Sequence, residues 1–288
     1  MPSEPCPRAR GYGSAPDSHE QARPKKSLGQ HFLRDEGACR RIVELARIET
    51  GDQVLEIGPG RGALTRFLRP LPWSRLILVE KDDALAAEQA AHPLPGLEVT
   101  HGDALGFDWT ALQGGWKIVG NLPYNVASPL MWDIVSRMPD LRRAVFMVQK
   151  EVADRILAAP GGRAYGALSA WMRSFVVPAR AFNLGPKAFF PPPRVESAVV
   201  LLRPVPPDLR PRRPGHLARI IKLCFGQRRK QVLGIVRRSF PAWPAADILA
   251  EAGLKPEQRP ETLTPQDFQR LADALFFRSE AYAEPNQR

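Results

Sequence analysis

From about residue 36 to residue 150, short apolar runs alternate with stretches of helical spacing. Residues 38–47 set Ile42, Val43, Leu45 and Ala46 on one face of a helix. A strand over 53–57, a helix start over 63–68 and a strand over 76–80 follow. Residues 82–91 are alanine-rich and read as helix, and 97–100 as a strand ending in His101-Gly102-Asp103. Residues 117–120 and 144–148 read as buried strands with a helix over 129–137 between them, and 175–177 and 197–202 as two more. Strands alternating with helices build βαβ units, so the predicted fold is α/β with a mostly parallel sheet.

The pattern changes after residue 202. Five prolines between Pro204 and Pro214 give a linker composition. Residues 215–280 then read as helical, with caps and stops at Pro241, Pro256 and Pro265. The predicted organisation is a tail over 1–24, an α/β domain over 25–205 and a helical domain over 206–288. The tail mixes Pro, Gly, Ser, Arg and acids and reads as disordered. It lacks the apolar core of a secretory signal, and Glu4, Asp17 and Glu20 depart from the acid-poor pattern of a mitochondrial presequence.

The 288 residues are 44% hydrophobic and 25% charged, as in ordinary globular proteins. The net charge of +11 and the pI of about 10.1 are not ordinary, and they favour a polyanionic partner. From Arg210 to Arg238 there are ten Lys/Arg and no acid: Arg210, Arg212, Arg213, Arg219, Lys222, Arg228, Arg229, Lys230, Arg237 and Arg238. A solvated helix face interleaves both signs. This stretch reads instead as a phosphate-binding surface that positions RNA without reading its sequence, with Arg219, Lys222, Arg228, Arg229 and Lys230 as the candidates. Cys6, Cys39 and Cys224 are sparse and form no CxxC pair, so neither a zinc site nor a disulfide framework is expected, and a reducing compartment is. No apolar run approaches 18 residues, so no membrane span is expected.

Two stretches carry chemistry. Asn121-Leu122-Pro123-Tyr124 stands where a buried strand stops, and ligands of open α/β sheets bind beyond the carboxyl ends of the strands. Asn121 offers a carbonyl acceptor for an exocyclic N–H, Pro123 stiffens the turn and Tyr124 supplies a ring for stacking. An ordinary strand-to-loop turn uses the same residue types. Upstream, Val54-Leu55-Glu56-Ile57-Gly58-Pro59-Gly60-Arg61-Gly62 runs from a strand through a glycine-rich turn towards a helix. Gly58, Gly60 and Ala63 also satisfy the relaxed dinucleotide spacing, and Glu80 at the end of the next strand suits a ribose under either reading. The loop alone therefore leaves a nicotinamide cofactor and S-adenosylmethionine both open. Glu56 two residues before the first glycine, and Asp103 placed for an adenine amino group, tilt the choice to S-adenosylmethionine. Asp103 equally suits a cap on the segment after it.

Together these residues resemble the bacterial ribosomal RNA adenine N6,N6-dimethyltransferase family, over nearly all of the chain outside the tail. The resemblance rests on eight motifs in order. These begin at Lys26, Glu56, Gly102, Asn121, Gln149, Ala164, Phe189 and Phe225, and include Gln30-His31-Phe32-Leu33, Phe189-Phe190-Pro191-Pro192-Pro193 and Gln227-Arg228-Arg229-Lys230. It implies a Rossmann-like S-adenosylmethionine-dependent methyltransferase sheet with a smaller C-terminal α-helical domain. It further implies that His31, Leu33, Gly58, Glu80, Asp103 and Asn121 contact the cofactor; the residues themselves show no metal constellation, so no metal is expected. Asn121, Leu122, Tyr124 and Phe189 would handle the target adenine, Phe189 sandwiching it with Tyr124. Many relatives have Asn where His31 stands, and often a small or polar residue where Phe190 stands; Phe190 receives no role. The implied substrate is two adjacent adenosines near the 3′ end of 16S rRNA in the 30S subunit, in the cytoplasm; with no coiled-coil heptads or obvious apolar interface in the sequence, a monomer is expected. Other readings are a large-subunit adenine methyltransferase of the macrolide-resistance type, a non-catalytic nucleic-acid-binding factor with this fold, and a nicotinamide oxidoreductase.

Overall fold

The computed structural model describes residues 30–138 and 140–283. The expected tail and the start of the motif at Lys26 lie outside the described residues. In chain order the elements are β1 (Phe32–Leu33), α1 (Glu36–Ala46), β2 (Gln53–Ile57), α2 (Thr65–Leu68), β3 (Arg75–Glu80), α3 (Asp83–Ala90), β4 (Leu97–His101) and β5 (Trp116–Asn121). Then come α4 (Ala127–Arg137), β6 (Leu141–Gln149), α5 (Lys150–Leu157), α6 (Ala167–Phe175), β7 (Val176–Leu184), β8 (Phe189–Phe190) and β9 (Ser197–Pro204). The C-terminal helices are α7 (Pro214–Gly226), α8 (Val232–Ser239), α9 (Ala245–Glu251) and α10 (Pro265–Ala283).

Seven strands form one sheet in the order β4-β3-β2-β5-β6-β9-β7. The first five are parallel, and β9 runs antiparallel between β6 and β7. The expected α/β fold is present. The continuous apolar runs follow from burial on both faces. Leu55, Ile57, Ile77, Val79, Ile118 and Phe146 face a core shared with α4 and α6, while Val54, Leu76, Leu78, Val119, Val145 and Met147 face one shared with α1. That split is the period-2 alternation of strand side chains.

Helix α1 begins at Asp35, whose carboxylate accepts the Ala38 N–H at 2.9 Å, and ends at Arg47 in the left-handed region with φ 50°. Buried Lys117 clamps that end, donating to the Arg47 carbonyl and to Asp52 at 2.6 Å. A lysine in an otherwise apolar strand is thereby satisfied at the edge of the core.

Two elements depart from the expected pattern. The strand expected over 175–177 extends to Leu184, half-exposed at the sheet edge, with Pro178 and a register shift between Arg180 and Phe182. An edge strand with proline and a bulge carries no continuous apolar run. Helix α6, over which no helix was expected, buries Ser169, Ala170, Trp171, Met172, Ser174 and Phe175 and presents no exposed residue. It lies between α4 and α5 on one side and α7 and α10 on the other, and the core beneath the sheet continues unbroken into the C-terminal helices. Trp171 stacks on Trp132 with ring centres 4.1 Å apart, and its Nε1–H donates to the Trp132 carbonyl at 3.0 Å. Trp171→Ala is expected to destabilise the fold by about 3–5 kcal/mol, read as a lower urea midpoint at unchanged m-value.

Candidate active site

The carboxyl ends of β2, β3 and β5, with the loop after β4, open into a cleft of about 370 Å³. It lies where β2 and β5 are neighbours although the chain leaves them for opposite halves of the sheet, which is the topological switch point of such folds. Every residue expected at the cofactor lines it: His31, Leu33, Gly58, Glu80, Asp103 and Asn121.

After β2 the chain turns through Gly58, Gly60 and Gly62, with φ of 66°, 54° and 75°. A Cβ on Gly60 would come within 3.2 Å of the Phe32 ring, so a side chain there would push β1 off the loop. Glu80, 6% exposed, anchors the turn: Oε2 accepts the Gly60 N–H and Oε1 the Asp82 N–H, both at 2.9 Å. A carboxylate thus takes a loop donor that the pyrophosphate of a dinucleotide would need, and α2 is only four residues long. This geometry favours a cationic nucleoside over a dinucleotide. Asp103 also lines the cleft while serving as the expected cap: Oδ1 accepts the Leu105 N–H at 3.0 Å, and Oδ2 pairs with Lys81 at 2.7 Å. The Lys81 ammonium holds the Asp103 carboxyl below its ordinary range, with the Leu105 N–H adding to the effect.

Asn121 ends β5. Its Nδ2 donates to the His31 carbonyl at 2.9 Å; only the amide nitrogen can face a carbonyl, so Oδ1 is the atom left for a ligand. The next residues stiffen the turn. Leu122 N–H donates to the Met147 carbonyl at 3.1 Å, and the Pro123 carbonyl accepts from Val126 and Ala127 at 3.1 and 3.0 Å. Among the described residues no donor meets the Leu122 carbonyl. Tyr124 hydrogen-bonds Ser197 Oγ at 2.6 Å, and burial raises its phenol pKa.

Phe189, expected to sandwich the base with Tyr124, is 4% exposed, packs in the core beneath α1 and is not among the residues that line the cleft. It pairs with Leu33 in the β1–β8 ladder, and antiparallel partners share a face, so both point inwards. The ring beside Tyr124 is His31, with centres 5.6 Å apart at 26°. A base between two rings needs roughly 7 Å, so these two admit none between them. His31 Nδ1 lies 2.7 Å from the Pro191 carbonyl and must carry the proton there.

Of the basic set, Arg219, Lys222, Arg229 and Lys230 are exposed. Arg219 stands over the Phe240 and Phe276 rings and Lys222 over Trp132. Arg228 is different: it pairs with Glu261 at 2.9 Å and donates to the Gly162 and Arg163 carbonyls, so its guanidinium serves the fold. Sequence reasoning also missed Gln30, Arg34, Arg61, Lys81 and Asp82 as lining or bracing residues, since their roles depend on chain crossings no local pattern records.

A sequence profile of the family described as Ribosomal RNA adenine dimethylase matches residues 21–275. The chain belongs to that family. A curated relative, ribosomal RNA small subunit methyltransferase A of Nitratidesulfovibrio vulgaris (strain DP4), is 49% identical over 263 residues, covering 88% of this chain and 97% of the relative. Among solved structures, a dimethyladenosine transferase from Plasmodium falciparum superposes with a TM-score of 0.75 at 27% identity, covering 87% of this chain and 98% of that one. The 23S rRNA methyltransferase ErmE superposes at 0.62 with 24% identity, covering 85% and 99%, and shares the fold.

The cleft of this family member fits S-adenosylmethionine. Glu80 and Asp103 line it and suit a ligand carrying sulfonium and ammonium charge, and the glycine turn leaves backbone room for a nucleoside. Among the described residues no His, Cys, Asp and Glu cluster could hold a metal, and no helix is long and apolar enough to cross a membrane. Burial raises the Cys39 thiol to about 11 and Cys224 to about 12, which makes both poor nucleophiles.

Glu56 is 1% exposed; its Oε2 accepts from Thr65 Oγ1 at 2.7 Å. Burial, with Glu80 nearby and against the Thr65 hydrogen bond, raises its carboxyl from 4.5 to about 8. A raised acid pKa stabilises the fold fully below the unfolded value, and this is lost as pH rises through the folded one. Between pH 5 and 8 the melting temperature of the ligand-free protein is therefore expected to fall, and Glu56→Gln to flatten that fall, as read by calorimetry across the range.

Proposed function

We propose that this chain transfers methyl groups from S-adenosylmethionine to N6 of two adjacent adenosines in the 3′-terminal hairpin loop of 16S rRNA. The substrate is the 30S subunit or its precursor, late in ribosome biogenesis, and the enzyme acts as a cytoplasmic monomer. The observation that supports this most is Asn121, whose amide is oriented by the His31 carbonyl so that Oδ1 is presented beside the unpartnered Leu122 carbonyl.

Adenine N6 is a poor nucleophile because its lone pair is delocalised into the ring. Asn121 Oδ1 and the Leu122 carbonyl accept its two hydrogens and favour a pyramidal nitrogen with a localised lone pair. They also stabilise the positive charge that develops there. The cofactor supplies an electrophilic methyl on a sulfonium when bound. His31, Leu33, Gly58, Glu80, Asp103 and Asn121 hold it. No strong general base is required, since the nitrogen becomes acidic once methylated. Tyr124, held by Ser197, stacks the base on the face that His31 does not cover. Extracting the base costs a few kcal/mol, least in a loop, and stacking returns roughly 1–3 kcal/mol. Arg219 and Lys222 on α7 and Arg229 and Lys230 in the turn after it meet RNA phosphates.

The test is transfer of labelled methyl to 30S subunits lacking the 3′-end dimethyladenosines, with 50S subunits and naked rRNA alongside. N6,N6-dimethyladenosine in 30S is expected. Label only in 50S would assign the chain to the macrolide-resistance type, and cofactor binding without label to a non-catalytic factor. Asn121→Ala is expected to lower kcat by about 100-fold or more with 30S binding nearly unchanged; transfer within twofold of wild type would overturn the mechanism. Arg229→Ala and Lys230→Ala should each weaken 30S binding and reduce its salt slope by about one, read from affinity against salt concentration. Arg228→Ala should instead lower the melting temperature.

A further inference from the structure

In the β1–β8 ladder Phe32 faces Phe190 and Leu33 faces Phe189. The inner pair enters the core, which leaves Phe32 and Phe190 together on the outer face. Phe190 is 41% exposed. The Arg34 guanidinium lies 4.0 Å from its ring centre, and Arg61 lies 4.7 Å from that of Phe32. Phe32, Arg34 and Arg61 line the cleft, and Phe190, the ladder partner of Phe32, lies next to that lining. Arg34 meets no carboxylate among the described residues. The acids beside it are engaged elsewhere, Asp35 capping α1 and Glu36 pairing with Arg66 at 2.9 Å.

We propose that this outer face is a second stacking platform, on which Phe190 and Arg34 take a single-stranded nucleotide flanking the target adenosine. The inference rests on the RNA reading above. A base drawn out of its loop leaves its neighbours unstacked, and any base offers a ring face to an exposed aromatic. A guanidinium already held over an aromatic ring can stack on a base while meeting the adjoining phosphate. That combination of charge and flat apolar surface suits RNA and not a protein segment. Nothing in the fold requires an aromatic here, since the inward neighbour Phe189 supplies the core contact.

The test uses the full chain on 30S subunits lacking the dimethyladenosines. Phe190→Ala is expected to raise KM for 30S by about tenfold, with kcat and cofactor affinity within twofold, and Phe190→Tyr to restore it. Benzoylphenylalanine at position 190 should crosslink to a nucleotide bordering the target adenosines. An unchanged KM in Phe190→Ala beside normal wild-type labelling would overturn the platform alone. Equal losses in kcat and cofactor affinity would show that Phe190 only props the ladder, and a crosslink to ribosomal protein would assign another occupant. A wild-type protein that labels no 30S would overturn the substrate assignment, and the platform with it.

Discussion

The geometry of the cleft depends on a two-residue antiparallel ladder, Phe32–Leu33 against Phe189–Phe190. It straps the segment around His31 across the ends of β2 and β5, extended by the Arg34 N–H to Ala188 carbonyl bond at 2.8 Å and by His31 Nδ1 on Pro191. From that position the His31 main chain sets the amide of Asn121 and its ring covers one face of Tyr124. The same register sends Phe189 and Leu33 inwards and Phe32 and Phe190 outwards. A shift of one residue would exchange those faces, which makes the ladder a strict determinant despite its length.

Charge is arranged in two zones of opposite sign. The chain carries a net +11, yet its buried strand ends gather Glu56, Glu80 and Asp103 around one cleft. Glu80 spends both oxygens on loop N–H groups, and Asp103 is held by Lys81 and its own cap. Glu56 has no cation bonded to it and remains largely protonated at neutral pH through burial. The acids around the cleft and the exposed cations Arg219, Lys222, Arg229 and Lys230 are thus separate surfaces of one chain.

Much of this was legible along the chain. The alternation of apolar runs and helical spacing located β2 to β6 and the helices between them, because burial on both faces imposes local composition. The glycine turn, Glu80, Asp103 and Asn121 were legible because each stands at a strand end, where parallel topology must place a ligand. What escaped was the part of edge strand β7 beyond Val177, where Pro178 and a bulge break the alternation, and the helices α5 and α6, although α5 carries Val152, Ala153 and Ile156 at helical spacing.

The α/β class, the positions of the strand ends, the chemistry offered there and the basic character of residues 210–238 are written along the chain. Those properties reside in spacing and residue type. Long-range packing settles which aromatic lies beside Tyr124, that Phe189 is core and Phe190 surface, and that Arg228 braces Gly162 while its neighbours Arg229 and Lys230 face solvent. Each of those outcomes depends on pairing between segments far apart in the chain, where a one-residue difference in register reverses which side chain is buried.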